Sequence, residues 1–183
     1  MNNQPIIIED YNDKWGLLFA ELHEIYTLHL NDLILAVEHV GSTAVPGLAA
    51  KPILDIDIVI ESASLLPRVI DKLGELGYVH EGNLGIEGRE AFARIDSYAP
   101  YTHRQAVKMD HHLYVCEKDS QELRRHLNFR NMLRRSPQLV DEYARLKKHL
   151  AVKFRNDRQA YTEWKSLFVT KVLNMYKESG ESL

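Results

Sequence analysis

The chain has 183 residues, 45% apolar and 27% charged, with a formal net charge of −3, which suits one domain or a compact core with a helical appendage. That charge does not favour polyanions, so a nucleic acid would need a local basic site, and the single cysteine, Cys116, excludes an internal disulfide framework and an all-cysteine zinc site. No run approaches the roughly 20 apolar residues that span a bilayer, and the N-terminus lacks the basic head and apolar run of a secretory signal, so the expectation is a cytoplasmic protein with no membrane partner.

Helical spacing of Trp15, Leu18, Phe19, Leu22, Ile25 and Tyr26 predicts a first helix over 14–29, capped by Asn12 or Asp13. Residues 33–40 read as a strand that ends in the small-residue turn Gly41-Ser42-Thr43. The run 52–60 is the most strand-like in the chain. Leu54, Ile56, Ile58 and Ile60 alternate with Asp55, Asp57 and Val59, so the two sets occupy opposite faces. A helix over 65–76 follows, with Gly77 as its stop. Residues 78–80 are extended, 82–88 form a glycine-bearing loop, and 91–97 and 111–117 are further strands.

From Ser120 the pattern is helical. Pro137 separates two helices, with Ser136 as a cap. Leu139, Tyr143, Leu146 and Leu150 make an apolar stripe. A last helix carries Tyr161, Trp164, Phe168, Val172 and Leu173 as core, and the tail after Lys177 should fray. The order implies an α+β fold: a mixed or antiparallel sheet flanked by helices, with a helical C-terminal part. The division is a core over 1–118 and a helical part over 119–183, packed as one unit.

Asp55 and Asp57 lie two apart on one strand, so both carboxylates project from one face and repel. A hard divalent cation that takes carboxylate oxygens, water and substrate phosphate resolves that repulsion. An Asp-x-Asp pair alone is more often a solvated strand face, and a Gly-Ser pair alone is more often a plain turn. Their combination is more specific. Gly41 lets the backbone approach a ligand, and Ser42 offers a hydroxyl and an amide to a phosphate.

The run Glu38-His39-Val40-Gly41-Ser42-Thr43-Ala44-Val45-Pro46-Gly47-Leu48-Ala49-Ala50-Lys51-Pro52-Ile53-Leu54-Asp55-Ile56-Asp57 resembles the signature of the GrpB family. This family belongs to the nucleotidyltransferase superfamily, with its polymerase-beta-like palm fold. Tyr11 with Trp15, Gly77-Tyr78, His112-Leu113-Tyr114-Val115, Phe129-Arg130, Tyr143 with Lys147, and Tyr161 with Lys165 extend the resemblance along nearly the whole chain.

The resemblance implies a nucleotidyltransferase-like enzyme. Gly41, Ser42 and Thr43 would hold the phosphates of a nucleoside triphosphate. Asp55 and Asp57 would hold Mg2+ or Mn2+, and a nucleotidyl group would pass to an unknown acceptor with release of pyrophosphate. A third carboxylate is expected on a neighbouring strand, but the matching run reads Asp110-His111-His112. By alternation His112 and Tyr114 share a face, so His112 stands in the third position, and Asp110 shares its parity. Of the basic residues on the later helices (Arg130, Arg134, Lys147, Lys153 and Lys165), Arg130 and Lys147 are singled out as phosphate contacts, together with Lys51 just before the acid strand. Two rival readings follow from the missing carboxylate. One is a non-catalytic nucleotide- or phosphate-binding accessory module linked to coenzyme A metabolism. The other is a metal-dependent phosphoester hydrolase with His112 as base. A zinc or manganese cluster of His103, His111 and His112 with the two aspartates is disfavoured, because adjacent histidines on a strand point apart.

Overall fold

The alternation of the 52–60 run decides the architecture. In the computed structural model, which describes residues 5–103 and 106–178, it forms strand β2, Leu54–Ile60. Leu54, Ile56, Ile58 and Ile60 are all within 1% of full burial. Each such side chain contributes about 1.5–3 kcal/mol of hydrophobic stabilisation. The remaining strands are β1 (Ala36–Val40), β3 (Tyr78–Gly82), β4 (Glu90–Arg94) and β5 (His111–Glu117). They form one five-stranded sheet in the order β1-β2-β5-β4-β3. β2 runs antiparallel to β1 and parallel to β5, and the other pairs are antiparallel. The sheet is mixed, as expected.

One face of the sheet is covered by helices α1 (Lys14–Leu30) and α2 (Leu66–Glu75). Trp15, Leu22, Tyr26, Val69 and Leu73 pack there on the β2 aliphatics, Leu113 and Val115. Asn12 caps α1, its side chain accepting from the Lys14 amide at 3.0 Å. The strand expected over 33–40 begins later, because Asn31–Leu33 makes a tight 3-10 turn with Asn31 at a φ of 43°.

The other face carries the aspartates and meets the C-terminal helices α3 (Gln121–Arg135), α4 (Pro137–Lys153) and α5 (Arg158–Glu178). Ser120 and Ser136 cap α3 and α4, each accepting an amide from the third residue on. Val45 and Leu48, just after the Gly41-Ser42 turn, are buried against Phe129, Leu133, Tyr143 and Phe168. The helices are therefore bound to the segment that follows the turn. Trp164 departs from the expected core stripe. It is 50% exposed, while Tyr161 and Phe168 are buried. The expected fraying of the tail falls mostly beyond the described residues. Among the described residues no helix is long and apolar enough to cross a membrane.

His111 faces the α1 and α2 side, not the aspartates. Its Nδ1–H donates to the Met109 carbonyl at 2.8 Å, so Nε2 accepts from the Tyr78 hydroxyl at 2.5 Å. Tyr26 closes the group, 2.6 Å from Tyr78. His39 is also buried, stacked on Phe19 and 3.0 Å from the Thr43 hydroxyl. Burial pushes both imidazoles down to about 4. The unfolded chain binds a proton near the ordinary 6.5, which the folded chain refuses until about 4. Stability therefore falls as pH drops through that window, by up to about 3 kcal/mol per histidine. Urea unfolding at pH 7 and pH 4.5 should show this loss, and His111→Gln should show a smaller one.

Candidate active site

Gly41 ends β1, where Val40 pairs with Asp55 of β2. Its φ is 70°, and a side chain there would drive into Asp55, with Cγ at 2.8 Å and Cβ at 2.9 Å from the added carbon. Only glycine lets the turn lie this close to the first acid. Ser42 follows, and its hydroxyl accepts from Lys147 Nζ of α4 at 2.9 Å. Thr43 points away, buried against His39. Its side chain supports the turn, and it does not line the cavity beside it.

Asp55 pairs in register with His112 and Asp57 with Tyr114 on β5. His112 Nδ1 donates to Asp55 Oδ1 at 2.9 Å. Burial opposes the Asp55 charge, but the hydrogen bond and charge of His112 outweigh it and hold the carboxyl below its ordinary range. His112 thus occupies the position expected for a third carboxylate. Asp110 does not replace it, since its carboxylate pairs with Arg94.

Asp57 is fully buried. Its Oδ2 accepts from His126 Nδ1 of α3 at 2.7 Å, and His126 Nε2 donates to Glu122 at 3.2 Å. Burial opposes charge on His126, yet the hydrogen bonds to Asp57 and Glu122 prevail and push it up to about 9. Burial also raises the Asp57 carboxyl above its ordinary range, so Asp57 and His126 titrate as a coupled pair that Glu122 joins from the other side. The other oxygen, Asp57 Oδ1, is buried and has no hydrogen-bond partner. An orphaned carboxylate oxygen on this face is unfavourable unless a ligand completes it. Two carboxylates with one unpartnered oxygen are donors that suit a hard divalent cation, although only Asp55 lines the neighbouring cavity and Asp57 is wholly buried behind it. Among the described residues, no three His, Cys, Asp or Glu side chains are preassembled into a metal cage.

A cavity of about 410 Å³ opens between the sheet and α3–α5. Gly41, Ser42, Lys51, Asp55, His112 and Lys147 line it, so it gathers most of the residues expected from the sequence. Beside the turn, Lys51 lies 4.7 Å over the Tyr161 ring and Lys147 4.5 Å over the Tyr143 ring. Lys165 and Arg158 of α5 line the same end. Burial, reinforced by neighbouring cations, lowers Lys51 to about 8 and also lowers Lys147 and Lys165. Burial and mutual repulsion thus weaken the charge of all three lysines in this cavity.

Arg130 is not brought to the cavity. Its guanidinium holds Glu38 at 2.6 Å and the His39 carbonyl at 2.9 Å, tying α3 to β1. Arg134 likewise binds the Ala44 carbonyl, at 2.9 and 2.7 Å. Both brace the turn from behind. His103 is exposed and His111 faces the core, so neither joins a metal cluster. Sequence reasoning missed His126 and Glu122 and passed over Lys165. Their signal was helical spacing: Glu122 and His126 are four apart, and Lys165 follows Tyr161 as Lys147 follows Tyr143.

A model of the GrpB protein family matches residues 5–175. The glutamate-rich protein GrpB of Alkalihalophilus pseudofirmus is 31% identical over 175 residues, covering 95% of this chain and 97% of that one. YqkA of Bacillus subtilis is 33% identical over 159 residues, which is 87% of this chain and 43% of the relative. Among solved structures, the conserved protein GrpB from Enterococcus faecalis matches with a TM-score of 0.75 at 30% identity, over 93% of this chain and 99% of that one. The poly(U) polymerase Cid1, solved with the UTP analogue UMPNPP, matches with a TM-score of 0.52 at 12% identity, over 79% of this chain and 42% of that one. That distant likeness establishes a nucleotidyltransferase-like fold.

Removing His126 would take from Asp57 the hydrogen bond and charge that oppose its burial. His126→Ala should lose about 3–5 kcal/mol in denaturant unfolding. The double variant with Asp57→Asn should lose less than the sum of the single changes. Strict additivity would show that the two side chains are not coupled.

Proposed function

The chain belongs to the GrpB family, and we propose that it moves a nucleotidyl group from a nucleoside triphosphate to an acceptor, with Mg2+ or Mn2+. One observation carries this reading. The glycine turn lies against the first acid of the strand pair, Lys147 reaches Ser42 of that turn, and Lys51 and Lys165 line the same cavity.

In this reading the backbone and hydroxyl of Ser42, with Lys51 and Lys147, seat the β- and γ-phosphates. Lys165 and Arg158 add charge from α5. Asp55 and Asp57 would hold the divalent ion, which would supply charge neutralisation at the phosphates and the leaving pyrophosphate. His126 holds one oxygen of Asp57, and the other, which has no hydrogen-bond partner, would be the one left to bind the ion. His112 has a distinct task. Because Asp55 engages its Nδ1–H, Nε2 remains as a proton acceptor. As the acceptor hydroxyl oxygen bonds to the α-phosphorus, its proton passes to Nε2, and the bond to pyrophosphate breaks. The acid pair thus has both electrostatic and orienting roles.

The missing third carboxylate favours a second reading, a nucleotide-binding module without transfer. Labelled triphosphates with Mg2+ or Mn2+ and candidate acceptors separate the two. Transfer predicts pyrophosphate release that falls at least a hundredfold in Asp55→Asn, on the scale of losing a transition-state contact. Metal-dependent binding without any product would support the module, and release of inorganic phosphate would indicate hydrolysis.

The lysines set a pH dependence. Triphosphate binds their charged forms, and Lys51 loses its proton around pH 8. Affinity for a non-hydrolysable triphosphate should therefore fall between pH 7 and pH 9. Titration calorimetry should show proton uptake on binding at pH 8. Affinity that rises over this range would remove the lysines from the phosphate seat.

A further inference from the structure

The cavity wall carries further cations that the triphosphate seat does not use. Across the sheet the order is turn, acids on β2, His112 and Tyr114 on β5, then the residue before β4. That residue is Arg89. It shares the strand parity of Ala91, which pairs with Tyr114, so it lies on the aspartate face. Its guanidinium carbon is 4.2 Å from the centre of the Tyr114 ring. Its Nε is buried and has no hydrogen-bond partner, and it lines the cavity. Arg125 of α3 also lines the cavity, 3.2 Å from Glu122.

In-line displacement needs the attacking group opposite the leaving group. With pyrophosphate leaving toward Ser42 and the lysines, the attacking group enters from the Arg89 side. The guanidinium is held over the Tyr114 ring and hydrogen-bonds its side chain, which leaves the unpartnered Nε–H as the donor for an oxyanion. We propose that the acceptor is a small molecule carrying its own phosphate or carboxylate, seated by Arg89 in the cavity that Arg125 also lines. This rests on the donor reading above. The net charge of −3 favours a small anion over a polynucleotide here.

Arginine Nε–H resonances of the full chain test this, with Arg89 assigned by the peak lost in Arg89→Lys. Inorganic phosphate, or acetate in a parallel titration, should shift the Arg89 resonance. The shift should persist when a β,γ-imido triphosphate and Mg2+ saturate the protein. Whichever anion binds tighter identifies the acceptor's group. Arg89→Lys should weaken phosphate binding about tenfold by loss of the Nε–H donor. A resonance unmoved by either anion would overturn the proposal and leave Arg89 as a counter-charge to Asp57. A shift abolished by the analogue would assign Arg89 to the donor, which also overturns it. An analogue that fails to bind would overturn the donor reading instead, and the free-protein titration would then decide the anion site alone.

Discussion

Two carboxylates side by side on one strand face, one of them fully buried, are unfavourable unless each gains a counter-charge. The surroundings of β2 meet that demand differently for the two acids. Asp55, nearer the solvent, takes one hydrogen bond from His112 and has the Gly41 turn pressed against it. Asp57, deeper in, is paired with His126 of α3, which Glu122 holds from its other side. The helices are thus electrostatic partners of the strand as well as a cover for its face.

The cationic half of the site follows the same logic in reverse. Lys51, Lys147 and Lys165 line the cavity from the loop before β2 and from two helices, and burial depresses all three. The protein carries this unfavourable arrangement although it has acids in plenty elsewhere. The packing of Val45 and Leu48 against Phe129, Leu133 and Tyr143 holds the turn to α3 and α4. Arg130 and Arg134 add hydrogen bonds from behind. Hydrophobic burial thereby supports a pair of charge clusters that electrostatics alone would spread apart.

Legibility in the sequence tracked how local each signal was. Strand β5 was read at its observed limits, because His111, Leu113 and Val115 alternate cleanly with His112 and Tyr114. Alternation gave the face of His112, and the family resemblance set its strand next to the acids, where it pairs with Asp55. Arg130 was read as a phosphate contact, yet helix periodicity does not say which partner a long side chain will reach. In the fold Glu38 and the His39 carbonyl are nearer. Trp164 has the spacing of a core residue but falls on the outer edge of the α5 stripe, where Phe154 and Lys153 cover it only in part. His126 had one local signal, its i,i+4 spacing from Glu122, but that spacing does not show that Asp57 lies across from it.

By itself the sequence determined the α+β order, the faces of β2 and β5, and the union of a glycine turn with an acid pair. These depend on backbone periodicity and on contacts within about twenty residues, which linear spacing encodes. The tertiary structure alone decided which charges meet. It placed His126 on Asp57, turned Arg130 to Glu38, and brought Arg89 over the Tyr114 ring at the cavity wall. Those pairings join residues far apart in the chain, and they depend on how helices pack on the sheet, which periodicity does not specify.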